Sequence, residues 1–413
     1  MDASKPDEIP LGQIRYLRSI VGGCKEEIPL SVPCLKGNEW NYVKECLDTN
    51  WVSYVGPFVK RFEKELAVVT DARHAVAMSS GTAALHVALI LAGVKPDEEV
   101  VMPALTFVAP ANAVRYCGAW PVLIDIQGCD WQMDIDQLSH FLSDSCVRRR
   151  GLLFNKITGR RVAALLPVHL LGAMCDVDAV AELATMYELP LIEDAAECLG
   201  ATYKNRPIGA STPAYNGPLR IVVTSFNGNK VMTTGGGGAL LANENSVADR
   251  AMHLSTTAKV DDFEFLHDEV GYNYRLTNIA AALGVAQLEQ LNDHVEFKRM
   301  VAHRYEGIFL GHSHITAHPE ARQCRSTFWL YTVLLDIQSK PIVEYLNSKG
   351  IMARRVWLPI TDVPPFKDKV FSTGCQMANH LHEYALNIPC SVGITPGQIE
   401  TVAEQLTFAI SRH

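Results

Sequence analysis

The chain has 413 residues, 48% of them hydrophobic and 20% charged, with a formal net charge of −8. The length calls for one large domain plus a smaller one, and the acidic balance argues against non-specific nucleic-acid binding. The eleven cysteines are dispersed with no CxxC pair, which argues against a zinc ribbon and for reduced thiols rather than a disulfide framework.

The opening "MDASKPDEIPLGQIRYLRSIVG" has no continuous apolar core, and no apolar run in the chain reaches the ~18 residues of a membrane span. A cytoplasmic protein with no bound metal is therefore expected. From there, "PFVKRFEKELAVVT" (57–70) carries a helical apolar stripe at Phe58, Phe62, Leu66 and Val69. "HAVAMSS" reads as a buried strand, and "GTAALHVALILAG" as a buried helix closed by Gly93. "EVVMPA" and "WPVLIDI" read as strands around the helix "FVAPANAVRYCG", and "AALLPVHLLG" as a further strand. The helix "DVDAVAELATMYE" precedes the strands "LPLIEDAA", "LRIVVTSF" and "GGALLA". Short strands joined by helices imply a mostly parallel sheet with right-handed crossovers. Residues 276–309 read as one long helix capped by Thr277 or Asn278. A mixed unit of strands and helices follows. The expected division is an N-terminal segment (1–45) packing on the small domain, a large domain (46–290) and a small α/β domain (291–413).

Four fragments point to one phosphate-bearing, electron-withdrawing cofactor. "SSGTAAL", from Ser79, puts small residues at a strand-to-helix junction, where free backbone amides attract an anion. It is equally readable as an ordinary turn. "IEDAAECLG" places Glu193 and Asp194 at the C-terminal end of a strand, the edge where open α/β sheets bind ligands. A carboxylate there suits a protonated ring nitrogen or a helix cap, and Ala195 and Ala196 leave room for a flat ring. In "TSFNGNKVMTTGGGG", Lys230 sits between an apolar strand and four glycines, a setting for a nucleophilic amine rather than a surface charge. Ser225 can donate a hydroxyl to a phosphate. "PALTFVAP" brings Phe107 to another strand-to-helix junction, as a stacking platform or as core.

The order "SSGTAAL … PALTFVAPANAV … LPVHLLG … IEDAAECLG … TSFNGNKVMTTGGGGAL … GYNYRLTNIAAALGVAQLEQL" resembles the nucleotide-sugar aminotransferases of the DegT/StrS type. "SFNGNK", "TTGGGG" and "HDEVGYNYR" resemble the LegC-like branch within it. The resemblance implies pyridoxal 5′-phosphate as cofactor. It implies the fold type I architecture of aspartate aminotransferase: α/β, a mostly parallel mixed sheet flanked by helices, with a smaller C-terminal domain. Lys230 becomes the Schiff-base lysine and Asp194 the partner of the ring nitrogen. Phe107 and Ala196 face the two sides of the ring, and Gly81, Thr82 and Ser225 hold the phosphate. Asn273, or secondarily Arg275, reaches the phosphate site of a second subunit in a homodimer. Glutamate, leaving as 2-oxoglutarate, supplies the amine to C4 of a UDP-linked 4-keto-6-deoxy-N-acetylhexosamine, on routes to legionaminic acid or bacillosamine. The alternatives are a GDP-linked, perosamine-type substrate and a sugar dehydratase, the latter disfavoured because Lys230 is present. The nucleotide is expected near "NWVSYVG" (50–56) and "RRVWLPI" (354–360). Two positions depart from the family pattern. Glu197 replaces the usual glutamine near the cofactor's phenolic oxygen, and Asn227 replaces a frequent histidine.

Overall fold

The computed structural model describes residues 27–261, 263–321 and 323–412. Part of the expected 1–45 segment thus lies outside the described residues. The large sheet contains β1 (His74–Met78), β2 (Glu99–Pro103), β3 (Trp120–Ile124), β4 (Val162–Leu165), β5 (Leu191–Asp194), β6 (Arg220–Ser225) and β7 (Gly238–Ala242). Their spatial order is β3-β2-β4-β5-β6-β7-β1, and β7 alone runs antiparallel to its neighbours. Every residue of β2, β4, β5 and β7 is buried, as helices on both faces of a parallel sheet require. Helix Gly81–Leu91 crosses beside it with its apolar residues buried from Ala83 to Leu89.

Helix Pro57–Thr70 forms over the span its apolar stripe predicts, with Phe58, Phe62 and Leu66 buried but Val69 exposed. Two expectations need correction. The strand in "AALLPVHLLG" stops at Leu165. Beyond Pro167, which has no amide hydrogen to extend the ladder, the chain keeps only a bridge from Val168 to Asp194 and turns at Leu171 (φ +59°). The long helix is two helices, Asn278–Leu288 and Leu291–Phe309. At the break, Glu289 accepts hydrogen bonds from Asn38 (2.8 Å), Tyr42 (2.7 Å) and Arg61 (3.0 Å), while the Gln290 amide is drawn to Glu39 (2.8 Å). These contacts from two distant helices outweigh a helical pattern that contains no local breaker.

The small unit is an antiparallel sheet ordered Ile315–Ala317, Tyr331–Leu335, Ala385–Ile388, Arg354–Arg355. Helices Ser339–Ser348, Gln376–Tyr384 and Pro396–Ile410 pack with it. The start of the described chain is tied to this unit, since the Ile28 amide donates to the Gly350 carbonyl and the Cys390 amide to the Leu30 carbonyl, both at 2.9 Å. The C-terminal third also returns to the large sheet, where Phe371–Ser372 pairs in parallel with the outer edge of β3.

Candidate active site

A cavity of about 360 Å³ opens between the C-terminal ends of the parallel strands and the small unit. Ser80, Gly81, Thr82, Phe107, Asp194, Ala196, Glu197, Ser225 and Lys230 all line it.

Its floor is an anion cradle. Ser80 caps helix Gly81–Leu91, taking the Ala83 amide on its hydroxyl (3.0 Å) and the Ala84 amide on its carbonyl (3.1 Å). Among the described residues, the amides of Gly81 and Thr82 are left as the unclaimed donors at the positive end of the helix. Ser225 stands directly opposite Gly238 across β6 and β7. A Cβ on Gly81 would lie 2.9 Å from the Ser225 Cβ, and one on Gly238 would lie 2.4 Å from the Gly81 amide nitrogen. Two glycines therefore let helix start, hydroxyl and strand converge on one point. The run's other members serve the loop. Gly235 takes φ +81° and Gly237 φ +154°, conformations that favour glycine.

The wall is acidic and dry. Asp194 is buried, and one of its oxygens accepts the Ala196 amide at 2.9 Å. Burial pushes its carboxyl up, against the pull of that amide and of Lys230, so a cationic ring nitrogen would relieve it. Behind it lies Glu193, whose oxygens take His169 Nε2 (3.1 Å) and Arg220 Nε (2.6 Å). Burial raises the Glu193 carboxyl, but Arg220 and His169 overcome it and hold the group down to about 2. The Cys175 amide donates to His169 Nδ1 at 3.2 Å, which places the ring proton on Nε2 toward Glu193.

Lys230 stands between acid and aromatic. Its Nζ lies 3.7 Å from Glu197 Oε1 and 3.9 Å from the centre of the Trp329 ring, a cation–π contact. Trp329 is fixed by an Nε1 bond to the Asn229 carbonyl (2.6 Å) and lies nearly parallel to Trp357, with centroids 6.3 Å apart. Glu197 accepts the Leu171 amide at 2.8 Å, and burial pushes its carboxyl up to about 7.

The site residues suit pyridoxal phosphate: unclaimed amides and a hydroxyl for phosphate, a carboxylate in need of a cation, an amine between them, and the half-exposed Phe107 ring (54%) across the cavity. Two expected residues do not line it. Asn273 is exposed and bridges Thr256 through its backbone. Arg275 is turned inward, its guanidinium held by Glu63 and the Ala77 carbonyl, both at 2.7 Å. A side chain so held faces into its own subunit.

Sequence reasoning did not single out Thr106, Trp329 or Asn387, which also line the cavity, whereas Arg354, Arg355 and Trp357 on its wall belong to the segment 354–360 expected near the nucleotide. The Thr106 hydroxyl is buried with no partner among the described residues. Its nearness to Phe107 in "PALTFVAP" is the one local signal that could have found it.

The model of the DegT/DnrJ/EryC1/StrS aminotransferase family matches residues 33–407. GDP-perosamine synthase of Caulobacter vibrioides is 35% identical over 385 residues, 92% of this chain and 97% of that protein. GDP-perosamine synthase of Escherichia coli O157:H7 is 33% identical over 381 residues, with the same coverage of 92% and 97%. Among solved structures, DesV of S. venezuelae superposes with a TM-score of 0.80 at 26% identity, covering 90% of this chain and 94% of that one. Neither perosamine synthase is of the LegC-like type that the motifs around Lys230 resemble. The chain belongs to the DegT/DnrJ/EryC1/StrS family: it is a pyridoxal-phosphate-dependent sugar-nucleotide aminotransferase of fold type I.

Proposed function

We propose that the chain transfers the amino group of glutamate to C4 of a GDP-linked 4-keto-6-deoxy sugar, acting as a homodimer. The observation that carries the reaction is the Lys230 amine at the centre of a cavity whose floor is built for an anion. The GDP-linked substrate is supported by identity of 33–35% to two GDP-perosamine synthases over nearly their whole length. The UDP-linked 2-acetamido sugar, favoured by the motifs around Lys230, is the competing substrate.

When bound, the cofactor supplies an electron sink for the carbon that loses its proton. The chain supplies the rest. Gly81, Thr82 and Ser225 hold the phosphate, and Asp194 keeps the ring nitrogen protonated. Phe107 and Ala196 bound the ring. Lys230 would anchor the cofactor through its amine and, when free, would hold and move the proton at the substrate carbon. Glu197 stands beside that amine and, with its raised affinity for a proton, can accept or return one near neutral pH. Asn273 completes the phosphate site of a second copy.

The test is a substrate panel. Purified holoenzyme is given glutamate with either the GDP-linked 4-keto-6-deoxy sugar or the UDP-linked 2-acetamido analogue, and 2-oxoglutarate and amino-sugar product are measured. Turnover with the GDP sugar at a kcat/KM at least about tenfold above the UDP sugar is expected. The reverse preference overturns the substrate, and no transfer to either overturns the reaction.

A further inference from the structure

Trp329 is bolted to the segment that carries the reactive amine. The residue is buried, and its Nε1 donates to the carbonyl of Asn229, the neighbour of Lys230 in the chain, at 2.6 Å. The Ser31 hydroxyl donates to the same carbonyl at 3.2 Å. The Trp329 carbonyl is held in turn by the buried Lys298 ammonium at 3.0 Å, which also donates to the Cys390 carbonyl at 2.9 Å. Ring and lysine therefore keep a fixed relation, with Nζ 3.9 Å from the ring centre and 3.7 Å from Glu197 Oε1. The negative face of an indole attracts such a nitrogen only while the nitrogen carries positive charge. The other charged groups lining the cavity are Asp194 at the end of β5 and Arg354 and Arg355 on the small sheet.

We propose that Trp329 is an electrostatic partner of the reactive nitrogen, its ring face keeping that nitrogen cationic while Lys230 is bonded to the cofactor. The inference rests on Lys230 being the anchoring amine. So bonded, the nitrogen holds one proton or none, and only with the proton does it draw enough electron density from the adjoining carbon for an amino group to attack there. The ring thus extends to higher pH the range in which the enzyme is ready for its amino donor. It does so as a neutral group. A third carboxylate beside Asp194 and Glu197 would achieve the same only at the cost of another buried charge.

Spectroscopic titration of the holoenzyme tests this without turnover. The visible absorbance of lysine-bound cofactor is followed against pH, and its midpoint reports the proton affinity of the nitrogen. Trp329→Leu keeps an apolar wall and removes the face. It is expected to lower that affinity about two- to thirtyfold, a fall in midpoint of about 0.4–1.5 pH units. Trp329→Phe, with a weaker face, is expected to restore part of it. Fluorinated indoles introduced at position 329 alone keep the shape while draining the face, so the midpoint is expected to fall stepwise with each added fluorine. This series guards against a Leu variant that fails to fold. Repeating it in a Glu197→Gln background removes the neighbouring carboxylate and is expected to preserve the steps. A midpoint that stays constant across the fluorinated series, or rises, overturns the proposal. The titration contains no sugar nucleotide, so failure of the GDP-sugar reading is seen separately, in turnover.

Discussion

Burial pushes the Glu197 carboxyl up to about 7 from an ordinary value near 4.5. The folded chain therefore takes up this proton earlier than the unfolded chain as pH falls. The resulting stabilisation is fully present below about 4.5 and is lost as pH rises through about 7. Glu197→Gln removes the burden of a buried charge. Its cofactor-free form is expected to gain roughly 3 kcal/mol over the unaltered chain above pH 7, a gain that shrinks toward zero near pH 4.5. Denaturant midpoints across that range measure it, and a gain that does not vary with pH sinks the idea. Lys230 gives the second prediction at this scale. Lys230→Ala is expected to lose the visible absorbance of lysine-bound cofactor and at least about 10²–10⁴-fold in turnover, read by spectrum and by 2-oxoglutarate release. Lys230 and Asp194 were legible in the sequence because each sits inside a short motif with its own chemistry. Asn387 was not, because 32 residues of chain separate it from Arg354 (387 − 354 − 1), in the segment expected near the nucleotide, and only strand pairing joins the two.

At the scale of elements, the cradle depends on contacts between glycines rather than on side chains. Gly238→Ala sets a Cβ 2.4 Å from a backbone nitrogen of the helix that begins at Gly81, so β7 and the helix start must part. The expected result is a loss of about 1–3 kcal/mol in stability and weaker retention of pyridoxal phosphate, followed by gel filtration and absorbance. Gly397→Ala, where nothing lies within 4 Å of the added carbon and which does not line the cavity, serves as the control. Alternating strands and helices were readable from periodicity, since β2, β4, β5 and β7 are short apolar runs. The break at Glu289–Gln290 was not, since its cause is the grip of Asn38, Tyr42, Arg61 and Glu39 from distant positions.

At the scale of the molecule, several large apolar side chains near the segment that carries Asn273 face outward. Phe263 is 93% exposed and Val270 81%, with Phe265 and Leu266 beside them. A concentration of this kind suits an interface and supports the proposed homodimer. Phe263→Asp with Val270→Asp is expected to halve the mass seen by sedimentation. It should also lower cofactor retention, because Asn273 would no longer reach a second copy. A monomer that keeps its cofactor as tightly as before would remove Asn273 from that role. Arg275→Met separates the inward neighbour from this effect. It leaves the half-buried Glu63 without its cation and is expected to cost about 1–3 kcal/mol at unchanged sedimentation mass per folded chain. The fold class was legible at this scale from the order of motifs, whereas the return of Phe371–Ser372 to the large sheet was not, because two residues carry no periodicity.

The reversed direction of β7 has a further effect on the reactive amine. β1 and β2, and β2 and β3, are linked through helices that can lengthen or shorten on the surface, but β6 and β7 are joined by residues 226–237 alone, a tether with both ends pinned where Ser225 faces Gly238. Lys230 rides on that tether. Inserting or deleting a single residue there would slide the nitrogen away from Glu197 and Trp329 while leaving the surrounding scaffold intact, so variation in length should be tolerated almost anywhere on the outer loops before it is tolerated here.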